Sequence, residues 1–101
     1  MSTDTIVEKK TRVTDKTREP GKFKVIVCND DVTPMEFVIA MLVAIFRHNE
    51  KSAYDLTMSI HNTGSAVAGT YTFEIAEQKG IDATNLARAH GWPLIIKIEQ
   101  E

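Results

Sequence analysis

An α+β fold of three strands and three helices, in the order β-α-α-β-α-β, is predicted by three observations in this 101-residue chain. Short β-rich runs occur near its start, middle and end. Stretches with helical apolar spacing fill the gaps between them. Proline, glycine and asparagine punctuate the junctions. A single small domain follows, with a three-stranded antiparallel sheet covered by three helices.

Phe23-Lys24-Val25-Ile26-Val27-Cys28 is the first strand, and Asn29-Asp30-Asp31-Val32 is a polar turn. Thr33-Pro34-Met35-Glu36 has the form of a helix start. Thr33 serves as N-cap, Pro34 takes the first helical position and Glu36 completes a capping box. This helix is expected to run to about His48. Asn49 opens a second helix that closes before Gly64, with Ala53, Leu56 and Ile60 on its inner stripe. Val67, Gly69, Tyr71 and Phe73 alternate with smaller or polar residues and mark the second strand. The third helix is expected from about Thr72 to His90, with Ile75, Ala76, Ala83, Leu86 and Ala87 inward and Gly91 as the stop. Gly80 is a soft spot within it, costing ~1 kcal/mol against alanine. Leu94-Ile95-Ile96-Lys97-Ile98 forms the last strand after Pro93.

Residues 1–21 differ in composition from the rest. Five threonines, one serine, five Lys/Arg and four Asp/Glu fill them, and Ile6, Val7 and Val13 are the only large apolar residues. Such a segment buries too little surface to offset its ordering entropy, so a flexible extension is expected there and the folded domain over 22–101. Twelve basic and fourteen acidic side chains leave a net charge of −2, which argues against nucleic acid as the main partner. The longest apolar run, Met35 to Phe46, is twelve residues, short of the ~20 a membrane span needs. No secretory h-region is visible at the start, and the lone Cys28 fits a reducing compartment, cytoplasmic or stroma-like.

The turn at 29–31 is the most suggestive polar feature. Two carboxylates and an amide stand between a strand end and a helix N-terminus, although turn-shaping alone would explain Asn29 and Asp30. His61 is the second candidate. On the second helix it shares a side with Tyr54, Thr57 and Met58, at the half-buried shoulder of the apolar stripe.

Beyond these single features, V-I-V-C-N-D-D-V-T-P-M-E-F-V resembles the signature of the ClpS family of protease adaptors. The resemblance continues through Ile60-His61, through G-T-Y-T-F-E-I-A-E-Q-K at 69–79 and through A-R-A-H-G-W-P-L at 87–94. It implies an adaptor that binds proteins with Phe, Tyr, Trp or Leu as the N-terminal residue and delivers them to a Clp AAA+ unfoldase-protease. Asn29, Asp31 and His61, with Asp30 adjacent, match the polar clamp for the α-amino group. An ammonium has three donors, and an amide oxygen, a carboxylate and a neutral imidazole would supply three acceptors. The family pocket maps onto Val27, Thr33, Met35, Val38, Ile60 and Leu94, with Thr57 where relatives usually carry a methionine.

Docking on the N-terminal domain of a ClpA- or ClpC-like unfoldase would fall to Glu74 and Lys79 at the start of the third helix. The N-terminal extension would take part in hand-off. Ala40, Val43 and Ala44 replace the polar residues that relatives tend to carry on the outer face of the first helix, through drift or through an added interface. No cofactor and no metal are implied.

Two other readings compete. Cys28 and His61 could pair as nucleophile and base, and His48, His61 and His90 with Asp30 and Asp31 could hold a metal. However, Cys28 has no electropositive neighbour in sequence, and neither an H-x-x-x-H nor a C-x-x-C spacing occurs. An enzyme is therefore not expected. The other reading is a protein-interaction domain of the same fold without N-terminal residue recognition, as in the ribosomal stalk.

Overall fold

The computed structural model describes residues 21–101. The extension expected over 1–21 therefore lies, apart from Gly21, outside the described residues. Strand β1 spans Phe23–Cys28, helix α1 Met35–Ala44, helix α2 Glu50–Thr63, strand β2 Ser65–Tyr71, helix α3 Phe73–Ala89 and strand β3 Ile95–Gln100. This is the predicted order. The sheet runs β2-β1-β3 with both pairings antiparallel, so β1 is central and β2 and β3 are its edges.

Period-2 alternation sets the faces of the sheet. Val25 and Val27 of β1 are fully buried under the helices, with Ile98 and Ile96 of β3 directly opposite them. Val38, Met41 and Leu42 of α1, Ala53 and Ile60 of α2, and Ala76, Ala83 and Ala87 of α3 pack into the core, together with Phe46, Ala68 and Leu94. The buried face of α3 is built of small residues, and Gly80 is among them. An added Cβ at Gly80 would stand 3.2 Å from Ile98 Cδ1, so the glycine lets α3 lie close on β3. The expected soft spot is a close-packing position.

Strand β2 carries one extra residue. Val25 pairs with Gly69 and Ile26 with Val67, which leaves Ala68 as a bulge. Its carbonyl is taken by His48, whose Nε2 donates to Ala68 O at 2.6 Å. The His48 Nδ1 forms a second hydrogen bond with the Ser52 hydroxyl at 2.9 Å. His48 thus ties the α1–α2 connection to the bulge of β2.

Three details correct the sequence reading. The first helix ends at Ala44, not near His48. Arg47 takes a left-handed conformation, φ 63°, and the His48 N–H turns back to the Leu42 carbonyl at 3.2 Å. The N-cap is Pro34, not Thr33, and no side chain caps it. The Thr33 hydroxyl donates instead to Asp30 Oδ2 at 2.8 Å, so the Thr33–Glu36 capping box does not form. Ile75, expected inward, is half exposed. The second helix fits the reading closely: Asn49 Oδ1 accepts from the Ser52 N–H at 2.8 Å, and Gly64 caps the other end at φ 102°.

Candidate functional site

One end of the sheet gathers the polar turn, the end of α2 and the entry to β3. Cys28 pairs with Ser65 on one side and with Ile95 on the other. Asn29, Gly64 and Leu94, each one residue beyond, are therefore neighbours at this end. The Asn29 N–H donates to the Gly64 carbonyl at 2.8 Å. That bond anchors the 29–31 turn to the last turn of α2, where His61 stands one turn before the Gly64 cap.

Within the turn, the two aspartates divide. Asp30 Oδ1 accepts from the N–H groups of Val32 at 2.8 Å and Thr33 at 2.7 Å, while Oδ2 takes the Thr33 hydroxyl. Its carboxylate is committed to shaping the loop that leads into α1. Partial burial works against its charge. Even so, the Thr33 N–H and hydroxyl, the Val32 N–H and the charge of Arg88 hold its carboxyl below the ordinary value. Asn29 and Asp31 stay exposed, and so does His61, which had been expected half-buried. Its side chain stands off the apolar stripe of α2 because the stripe passes through Ala53, Thr57 and Ile60.

The residues expected to line the apolar pocket fall into two groups. Val27, Val38, Thr57, Ile60 and Leu94 are buried. Thr33 and Met35 are partly exposed. The Thr57 hydroxyl donates to the Ala53 carbonyl at 2.8 Å, one turn back on its own helix, so its polar atom is satisfied without a ligand. Leu94 is fixed from outside by Arg88, a residue that sequence reading did not single out. Arg88 Nη1 donates to the carbonyls of Trp92 at 2.8 Å and Leu94 at 2.9 Å. Those bonds brace the entry to β3, and the charge of Arg88 adds a little to the lowering of the Asp30 pKa. A long cation near a helix C-terminus is the only sequence sign of such a role.

Away from this end, Glu74 is exposed in the first turn of α3. Lys79 is not the solvated lysine a surface position would give. Its Nζ donates to the Ile45 carbonyl at 2.8 Å and lies 5.5 Å from the centre of the Tyr71 ring. Ala40 and Ala44 are exposed on α1, and a groove of 410 Å³ beside them is lined by Glu36, Ile39, Ala40, Val43 and Glu50. Among the described residues, no three His, Cys, Asp or Glu side chains converge as a metal site would need. No described helix is long and apolar enough to cross a membrane.

The site is thus an anchored polar turn at one end of the sheet of a small α+β domain, next to the last turn of α2 and the entry to β3. The family model for "ATP-dependent Clp protease adaptor protein ClpS" matches residues 18–97, and the chain belongs to that family. It is 41% identical over 98 residues to ATP-dependent Clp protease adapter protein ClpS 1 of Bradyrhizobium diazoefficiens, covering 97% of both chains. A second relative, ATP-dependent Clp protease adapter protein ClpS of Treponema denticola, is 38% identical over 93 residues, 92% of each. Among solved structures, Agrobacterium tumefaciens ClpS2 bound to L-phenylalaninamide superposes with a TM-score of 0.80 at 41% identity. That match covers 82% of this chain and the whole of the other.

Proposed function

We propose that this chain captures proteins by a large hydrophobic N-terminal residue and delivers them to a Clp AAA+ unfoldase-protease, without catalysing a reaction itself. The observation that carries the reading is the 41%-identical relative bound to L-phenylalaninamide. That ligand has a free α-amine, an aromatic side chain and an amide where the next peptide bond would stand. Each part has a counterpart here. Asn29, Asp31 and His61 offer acceptors for the ammonium at the exposed end of the sheet, and Asp31 supplies the balancing charge. Asp30 holds the turn that presents them. The side chain would enter between Thr33 and Met35 towards the floor of Val27, Val38, Thr57, Ile60 and Leu94. Burying an aromatic group there contributes ~1.5–3 kcal/mol. Glu74 remains the residue for contact with the N-terminal domain of a ClpA- or ClpC-like unfoldase, with the 1–21 extension assisting hand-off. The lone free cysteine suits a reducing, cytoplasmic setting.

Titration with a fluorescent Phe-starting peptide and its N-acetylated twin tests the reading. Acetylation removes the charge and two donors, leaving acceptors unpaired at ~1–3 kcal/mol, so the acetylated peptide should bind at least about fivefold more weakly. Equal affinity for both peptides overturns it.

A further inference from the structure

Strand β3 is an edge of the sheet, and among the described residues no strand pairs with its outer side. An open edge is a template for another strand, and proteins commonly blunt it with charges. Here the charges match one another. Lys97 and Glu99 are both exposed and share the face of the sheet away from the helices. Ile96 and Ile98 share the other face, only partly buried. A groove of 300 Å³ beside them runs between β3 and α3, lined in part by Gly80, Ile81 and Thr84, with Ile81 47% exposed.

We propose that β3 pairs antiparallel with β3 of a second copy of this chain about a two-fold axis at Ile98, joining the two sheets into one of six strands. Backbone parity supports this register. The Glu101 N–H donates to the Lys22 carbonyl at 2.8 Å, so the odd-numbered residues at this end of the chain direct their polar groups towards β1. The N–H and C=O groups of Ile96, Ile98 and Gln100 consequently point outward. Pairing Ile98 with the second copy's Ile98, and Ile96 with its Gln100, places outward groups opposite outward groups. Lys97 then falls opposite Glu99 twice over. Those are non-hydrogen-bonded pairs, in which side chains come closest, about 4.5 Å between Cα atoms. A shift of one residue would destroy both the parity and the charge match. On the helix side, the two Ile98 side chains meet and each Ile81 gains cover. A two-fold contact of this kind is self-complementary, as a closed dimer requires. Leu94 and the 29–31 turn stay outside the paired segment, so both capture sites remain open.

Sedimentation across about 10 μM to 1 mM, the range expected of so small a contact, tests this proposal. The unchanged chain should pass from monomer to dimer. Lys97→Glu and Glu99→Lys should each weaken the dimer about tenfold or more, since each places like charges opposite one another twice. The double variant Lys97→Glu/Glu99→Lys should restore it, which separates pairing from damage to the fold. Amide exchange gives an independent reading. Ile96, Ile98 and Gln100 amides should gain protection with concentration, while those of Lys97 and Glu99 stay protected throughout. A chain that remains monomeric to 1 mM (about the weakest affinity such an edge would show) overturns the proposal. So does a dimer unaffected by the single reversals.

Discussion

Lys79 Nζ donates to the carbonyl oxygen of Ile45 across 2.8 Å, joining the middle of α3 to the end of α1. The Ile45 carbonyl belongs to the last turn of a short helix, where the final carbonyls have no partner within the helix. Lys79 is therefore a C-terminal cap supplied from another element, and its charge complements the negative end of the helix dipole. Its ammonium lies over the Tyr71 ring, and burial pushes the Tyr71 hydroxyl above its ordinary pKa. A residue so engaged serves the fold first, whatever it also contributes to docking.

Lys79→Met should consequently destabilise the domain by about 1 kcal/mol, because the stem is kept but the hydrogen bond and charge are lost. Thermal or urea unfolding measures this. Glu74 is the cleaner probe of docking, since it is exposed and, among the described residues, takes no side-chain hydrogen bond or ion pair. Glu74→Lys should slow Clp-dependent degradation of a Phe-starting substrate while leaving its peptide affinity unchanged. An unaltered degradation rate would remove Glu74 from the unfoldase contact.

The Asp30 carboxylate makes a pH-dependent contribution. Its folded-state pKa is held below the ordinary value by the bonds from Thr33 and Val32. A depressed carboxyl stabilises the fold fully above the unfolded pKa of about 3.9, and that contribution is lost as pH falls through the lower folded value. Asp30→Asn should cost about 1 kcal/mol at neutral pH, a modest figure because the group is partly solvated. The gap between variant and parent should close as pH drops below about 4. A gap independent of pH would mean that the charge adds nothing to the turn.

Arg47 holds φ 63° without glycine's freedom, on an exposed connection. Arg47→Gly should therefore raise stability by roughly 0.5–1 kcal/mol, because relief of left-handed strain exceeds the added entropy of the unfolded chain. Urea denaturation decides it, and a loss of stability would show that the arginine side chain holds the turn.

These cases mark where the sequence was legible. The second helix could be read from end to end, because Asn49 and Gly64 are local signals whose chemistry acts within a few residues. The first helix could not. Its apolar run continues to Phe46, and what ends it is Arg47 in a conformation that no residue type there announces. The Thr33 cap does not form because Asp30, three residues upstream, takes the same hydroxyl. Ile75 was assigned inward on helical spacing alone. The face of α3 that meets the sheet is chosen by Gly80 and the alanines, whose small size is a weaker sequence signal than a large apolar side chain. In the polar turn, the motif alone left Asp30 and Asp31 undivided, and the loop-shaping duty of Asp30 depends on hydrogen-bond geometry. Arg88 acts on carbonyls four and six residues ahead of it. Such a brace leaves no periodic trace in the sequence.

Thr57 offers the sharpest test of the pocket. It is 2% exposed, and its hydroxyl already bonds the Ala53 carbonyl. Thr57→Val keeps the volume and removes only that bond, from a carbonyl positioned to accept a helical N–H as well. Stability should change by less than about 1 kcal/mol, and the ranking of Phe, Tyr, Trp and Leu peptides should hold. Thr57→Met adds length to a packed wall. If the wall faces only the core, overpacking should cost about 1–3 kcal/mol of stability with no change in ranking. If it faces the ligand, the new side chain fills space the ligand would use, and the ranking should shift. Apolar walls discriminate by ~1–3 kcal/mol, and the site of the unchanged chain should disfavour Leu most, because Leu fills an enlarged site worst. Thr57→Met should therefore bind Leu peptides more tightly relative to Trp, through slower dissociation rather than faster association. Stopped-flow dissociation rates for the four peptides, measured on parent and both variants, separate the outcomes. An unchanged ranking in Thr57→Met would place Thr57 in the core alone.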